Sequence, residues 1–187
     1  MMRRIAFFLA LAFGLPACSN ILAQDNSTAL STGRSYVEFQ QPNTVQVTQG
    51  KNTPLKLIFR VKPGFHINSS QPTEPEMIPT SVGFTPPQDL VIAKVQYPAG
   101  ELTSFPFDPT QKLSVYQGDV TVNAVIIPER TAPIGTYTVH GVFKYQACDQ
   151  SACYPPKKLP VQFDVKVVRG AVKTHHRGNP QSPNIHN

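Results

Sequence analysis

The sequence predicts an all-β protein, an immunoglobulin-like antiparallel β-sandwich, on three observations. Short runs rich in Val, Ile, Thr and Phe recur along the chain, separated by Gly- and Pro-containing punctuation. Two of these runs alternate strictly, which is the period of a strand with one buried face. Between the runs there is hardly any of the 3.6-residue apolar periodicity that would place crossover helices. The chain contains no Trp, and it lacks the cysteine pair that joins the two sheets of antibody domains, so the likeness is one of architecture only.

The elements follow in order. Met1-Met2-Arg3-Arg4 is a positive start and Ile5 to Ala17 an apolar core too short to span a bilayer comfortably, so residues 1–23 read as an export signal. Two endings are compatible with it. Ile21-Leu22-Ala23 would precede ordinary cleavage before Gln24. Alternatively, Leu15-Pro16-Ala17-Cys18 resembles a lipobox, and Cys18 would be lipidated and become the first mature residue. Either ending predicts a bacterial periplasmic protein, with Cys18 lipid as its one route to membrane anchorage, in a compartment where disulfides persist. Residues 24–36 read as a polar linker and 37–168 as the β-sandwich domain.

Within that domain Val45 and Val47 alternate with polar residues. Leu55 to Val61 is the first strong strand, ended by Lys62-Pro63-Gly64. Ser69 to Met77 is a proline-rich acidic loop. Ser81 to Phe84 and Val91 to Val95 are short strands. Pro98 to Gln111 reads as a long irregular loop that carries Phe105-Pro106-Phe107. Leu113 to Tyr116 and Val120 to Ile127 are strands around the turn Gln117-Gly118-Asp119. The clearest pair comes last. Tyr137, Val139, Gly141, Phe143 and Tyr145 share one parity, as do Val161, Phe163, Val165 and Val167, so each set lines one face of a strand and the two runs form a β-hairpin. Residues 169–187 read as a disordered basic tail.

The formal charge is +6, but its distribution argues against a nucleic-acid partner. Without Arg3, Arg4, Arg169, Lys173 and Arg177, the 17 basic residues fall to 12 against 11 acidic ones. A nucleic-acid binder concentrates positive charge on its folded surface. The core has no G-x-S-x-G, no H-E-x-x-H and no glycine-rich phosphate loop, which argues against a conventional hydrolase or nucleotide enzyme.

Chemistry concentrates instead at Cys148 and Cys153, in the connection of the last hairpin. With Cys18 in the signal, they are the only cysteines of the folded part. Three readings compete. One is a structural hairpin disulfide, which is geometrically feasible between facing strands. It would be a weak staple, because closing so short a loop stabilises by about 2 kcal/mol, against about 4.7 for a 100-residue loop. Another is half of a metal site, but zinc takes four ligands and neither His66 nor His140 stands at a motif spacing. The third is a reactive dithiol, which needs access; the loop Asp149-Gln150-Ser151-Ala152 is small and polar and would not obstruct a partner. The residues alone leave the first and third readings open.

Four stretches carry a resemblance. They are Lys62-Pro63-Gly64-Phe65-His66-Ile67-Asn68-Ser69, Tyr97-Pro98-Ala99-Gly100, Leu113-Ser114-Val115-Tyr116, and Tyr145-Gln146-Ala147-Cys148 through Cys153-Tyr154-Pro155-Pro156. Their order and span, roughly Val37 to Val168, resemble the N-terminal periplasmic domain of the bacterial thiol:disulfide interchange protein DsbD. The resemblance implies an immunoglobulin-like sandwich and electron transfer by thiol–disulfide exchange, with no metal, nucleotide or organic cofactor. It implies that Cys148 and Cys153 are the redox pair, Cys153 forming the mixed disulfide and Cys148 resolving it. The family shields its pair with an aromatic from a cap loop, which would be Phe107 or Phe105; the competing reading is that both are ordinary core or rim residues. Asp149 would disfavour a thiolate and Lys157 would favour one if it folds back, while Tyr145 and Tyr154 could pack beside or hydrogen-bond the sulfurs. The chain carries no electron-conducting membrane region and no Cys-x-x-Cys thioredoxin-like domain. It therefore reads as a stand-alone module, with thioredoxin-like proteins or a separate membrane thiol reductase as expected partners. The alternative is a binding or assembly module whose disulfide only holds a hairpin.

Overall fold

A computed structural model describes residues 34–170. The signal segment with Cys18, the linker up to residue 33 and the tail from residue 171 lie outside the described residues. Twelve strands follow one another: β1 (Val37–Gln40), β2 (Val45–Thr48), β3 (Thr53–Val61), β4 (His66–Asn68), β5 (Ser81–Thr85), β6 (Leu90–Gln96), β7 (Glu101–Phe105), β8 (Asp108–Tyr116), β9 (Asp119–Pro128), β10 (Gly135–Tyr145), β11 (Ala147–Cys148) and β12 (Lys157–Val168). None of the described residues is helical.

Two four-stranded sheets make the sandwich, in the orders β1-β3-β9-β6 and β2-β12-β10-β5. Alternation builds their inner faces. Leu55, Leu57, Phe59 and Val61 of β3 are buried with Val120, Val122, Ala124 and Ile126 of β9, while Val139, Phe143 and Tyr145 of β10 are buried with Val161, Phe163, Val165 and Val167 of β12. Phe59 of one sheet stacks on Phe143 of the other, with ring centroids 3.9 Å apart and planes inclined by 13°. Each such side chain contributes about 1.5–3 kcal/mol when fully buried, so these interleaved faces hold the sheets together. The β10–β12 hairpin runs in unbroken register from Gly135↔Val167 to Tyr145↔Lys157, as its parity predicts. Gly141 is required within it: a Cβ there would lie 2.6 Å from the Gly83 carbonyl oxygen of β5.

The pairings are antiparallel except β2–β12, which is parallel. The chain leaves the first sheet after β1 and, without reversing, joins the second sheet at the edge of β12. The first strand also begins from within the core rather than from a free linker. Tyr36, placed by sequence at the linker's end, is only 8% exposed and belongs to the core cluster.

A third sheet, β11-β4-β8-β7, was not evident in the sequence. The segment 98–111, expected to be irregular, instead forms most of the β7–β8 hairpin, turning at Pro106-Phe107. Its alternation is hidden because this small sheet buries little: Phe105 is buried, but Leu102 is 65% exposed. Phe105, Leu113 and Val115 form a separate small cluster with Met77 against it. β4 is three residues long and buried throughout. Too short for a periodic signal, it provides the edge on which β11 docks.

Candidate functional site

The cysteines lie where the last hairpin opens. After Tyr145 the chain leaves β12, and β11 pairs with β4 through Ala147↔Ile67 and Cys148↔His66. Gln146 ties the departure down. Its Oε1 accepts a bond of 3.3 Å from the Asn68 side-chain amide, and its Nε2 donates to the Tyr154 carbonyl at 3.2 Å. The Tyr154 amide donates to the Ala147 carbonyl at 2.8 Å, and the Asp149 amide to the Ala152 carbonyl at 3.0 Å. These bonds turn the chain back so that Cys153 faces Cys148 in an antiparallel bridge.

Asp149 stabilises that turn from inside. Its Oδ1 accepts from the amides of Ser151 (2.7 Å) and Ala152 (2.9 Å), and its Oδ2 accepts from the Tyr154 hydroxyl (2.5 Å). This is the local side-chain-to-backbone bonding for which Asp is favoured in turns. The Tyr154 hydroxyl first, then the two amides, hold the carboxyl below its ordinary range, and the same carboxylate pushes the Tyr154 phenol up. Asp149, expected from sequence to act on the thiols, thus has three donors of its own.

Cys148 and Cys153 form a disulfide with Cα atoms 3.9 Å apart. Its two ends differ in access: Cys148 is 1% exposed, whereas Cys153 is exposed. Beside Cys153 lies an aromatic platform. Tyr154 stacks on Tyr36 at 4.8 Å, and Tyr36 meets Phe65 at 4.7 Å. Arg34 lies over the Phe65 ring and Lys157 over the Tyr36 ring, at 5.5 and 5.6 Å. Tyr145, offered by sequence as a neighbour of the sulfurs, is buried, and its hydroxyl accepts from the Tyr36 amide at 3.3 Å.

On the buried side, His66 stands directly across from Cys148, and Cys148 directly across from Cys153, so the three form one row. Directly opposed residues project to the same face of a sheet. Phe105 covers the imidazole, with centroids 3.9 Å apart and an 18° inclination, and Phe107 lies parallel to Phe105 at 5.6 Å. Of the two cap candidates, Phe105 is buried and sits on the neighbour of Cys148, while Phe107 is 48% exposed and outermost. A cleft of about 230 Å³ between this hairpin and the cysteine loop is lined by Phe65, His66, Thr103, Phe105, Gln117 and Gln150.

His66 is the residue that sequence reasoning considered only as a metal ligand. It is 3% exposed, and its Nε2 is buried without a hydrogen-bond partner. Burial pushes its pKa down, opposed by the Asp149 charge. His140, by contrast, is exposed on β10. Nothing in the spacing of His66 from the cysteines signals their adjacency, which arises only from the β4–β11 register. Tyr36 and Phe65 were missed for the same reason. Among the described residues, no three His, Cys, Asp or Glu side chains cluster as a metal site would require.

A family model described as "Thiol:disulfide interchange protein DsbD, N-terminal" matches residues 35–164. Among solved structures, the chain is similar to the Neisseria meningitidis DsbD N-terminal domain in the reduced form, at 20% identity over 59% of this chain and 74% of that one, with a TM-score of 0.37. It is also similar to a Neisseria meningitidis structure of the complex between the DsbD N-terminal and PilB N-terminal domains, at 19% identity over 58% and 73%, TM-score 0.37. A type I cohesin from Pseudobacteroides cellulosolvens is similar at 12% identity over 72% and 94%, TM-score 0.43. No curated protein matches the chain.

Proposed function

The chain belongs to the family of the DsbD N-terminal domain, and from that membership we propose that it carries electrons in pairs by thiol–disulfide exchange through Cys148 and Cys153. The observation that carries the reading is the disulfide itself: it lies inside the matched region and presents one exposed end and one buried end. Exchange requires a thiolate to reach a sulfur in line with the bond that breaks, so access selects the sulfur attacked.

In the reducing direction, a partner thiol loses its proton and its thiolate attacks Cys153 Sγ. The partner–Cys153 bond forms, the Cys148–Cys153 bond breaks, and Cys148 Sγ leaves with the electron pair and takes up a proton. The partner's second thiolate then attacks the partner sulfur of the mixed disulfide and releases Cys153. The partner ends oxidised and the chain holds two thiols. In the reverse sequence the chain reduces a second partner. Thioredoxin-like proteins or a membrane thiol reductase supply the chemistry required on the other side, and relative potentials set the direction. Phe105 is the cap residue, shielding the buried end through His66. Residues 1–23 direct export, with Cys18 lipidation as the alternative to cleavage before Gln24; the mass of the mature N-terminus distinguishes the two.

Two measurements test the exchange. The pair should have a reduction potential above about −300 mV, the level below which structural disulfides typically lie. Cys148→Ser should accumulate a mixed disulfide through Cys153 when mixed with an oxidised thioredoxin-like protein. A potential well below that level, together with no trapped partner for either single mutant, would leave a binding or assembly module with a structural hairpin disulfide.

A further inference from the structure

We propose that His66 is the proton acceptor that activates Cys148 when it resolves the mixed disulfide. The inference rests on the exchange reading above and extends it to a residue that reading does not use. Three observations converge on it. His66, Cys148 and Cys153 occupy one row across the sheet, so the imidazole and the buried sulfur share a face. The imidazole is enclosed, 3% exposed and covered by the Phe105 ring. Its Nε2 has no partner, and a buried polar atom left unpaired needs an explanation. The oxidation state provides one. In the disulfide neither sulfur carries a proton, so a nitrogen on the same face of the sheet finds no thiol there to accept from. Reduction creates a donor, the Cys148 thiol.

The step balances. With Cys153 joined to a partner, Cys148 gives its thiol proton to His66 Nε2. The Cys148 thiolate attacks Cys153 Sγ, the intramolecular S–S bond forms, and the Cys153–partner bond breaks. The partner sulfur leaves with the electron pair and receives the proton that His66 releases. The chain loses two electrons and the partner disulfide gains them. A buried thiol ionises poorly without such an acceptor, because desolvation disfavours the thiolate. The surroundings keep the imidazole neutral and able to accept. β11 brings Cys148, β7 the Phe105 ring and the turn between β8 and β9 Gln117; the charged group acting on it is Asp149, in the loop after β11, whose carboxylate opposes the larger effect of burial.

The test uses the full chain, reduced, and dithiobis(nitrobenzoate) as the disulfide probe. Attack by Cys153 releases one coloured thiol and resolution by Cys148 releases a second, so the two steps are read separately. His66→Phe keeps the ring stack but removes the acceptor. It should slow the second release by about a hundredfold or more, the lower end of the roughly 10²–10⁴-fold that general acid–base groups contribute, and should abolish the acid-side inflection of its pH profile. The first release should be unchanged. A variant that resolves at the wild-type rate with the wild-type pH profile overturns the inference and leaves exchange intact. A wild-type protein that never resolves the adduct sinks exchange and this inference together. A second readout needs no variant: the His66 Nε2 resonance in nitrogen NMR should differ between oxidised and reduced wild type, as an unpartnered nitrogen gains a thiol donor. Identical titration in both redox states also overturns the inference.

Discussion

At the scale of single residues, Asp149 and His66 respond to pH for opposite structural reasons. The Asp149 carboxylate is held ionised by Tyr154, Ser151 and Ala152. A depressed carboxyl pKa contributes order that is present above the unfolded value of about 3.9 and lost as pH falls through the folded one. Asp149→Ala should therefore release the turn at neutral pH as acid does in the wild type. Amide exchange at Ser151 and Ala152 should accelerate, and unchanged protection would show that the β11 pairing alone holds the turn. His66 titrates in a separate window. Its pKa lies below the ordinary value because burial disfavours the imidazolium, so the unfolded chain binds the proton first. Stability is then complete above about pH 6.5 and falls as pH drops below it. The melting temperature of the oxidised protein should decline as pH falls below the unfolded value of about 6.5, and His66→Phe should flatten that decline. A slope unaltered by the substitution would place its origin elsewhere.

At the scale of elements, the β7–β8 hairpin links the fold to the site. Its base is pinned by Tyr116, whose hydroxyl donates to the Pro98 carbonyl at 2.8 Å and accepts from the Ser70 amide at 3.1 Å. Its tip places Phe105 on His66. Phe105→Ala should open the buried side, so that Cys148 of the reduced protein is alkylated by iodoacetamide several-fold faster. Phe107→Ala should change this rate little, because Phe107 touches Phe105 from the solvent side. Equal effects would mean that the rings act as one lid. The same hairpin marks the limit of what the sequence discloses. β10 and β12 were legible because each turns every second side chain toward a large opposing sheet, where it is buried or half-buried. β7 buries Phe105 and leaves Leu102 in solvent, so the segment from Pro98 to Gln111 shows no strand alternation. The cysteine pair was legible from its spacing and from the motif around it. His66 was not, since its meaning lies in a two-residue pairing between β4 and β11 that no local pattern announces.

At the scale of the whole molecule, an exchange module must keep one fold in two redox states, and the division of stabilising interactions here allows it. The disulfide closes a loop of only a few residues, and in the chain-entropy model that constraint stabilises by about 2 kcal/mol. The sandwich is held independently by the inner faces of its two sheets, where Phe59 stacks on Phe143. Truncating such a buried aromatic costs about 3–5 kcal/mol. Urea unfolding should therefore rank the perturbations: Cys148→Ala/Cys153→Ala, or reduction of the wild type, should lower stability by about 2 kcal/mol, and Phe143→Ala should lower it by more. The slope with urea should be the same for oxidised and reduced protein apart from the small change in exposed area, because the same surface is exposed when either unfolds. If reduction instead removed most of the stability, the disulfide would be a staple on which the fold depends. A partner that reduced it would then unfold the domain, and the chain could not hand the electrons on from a folded state.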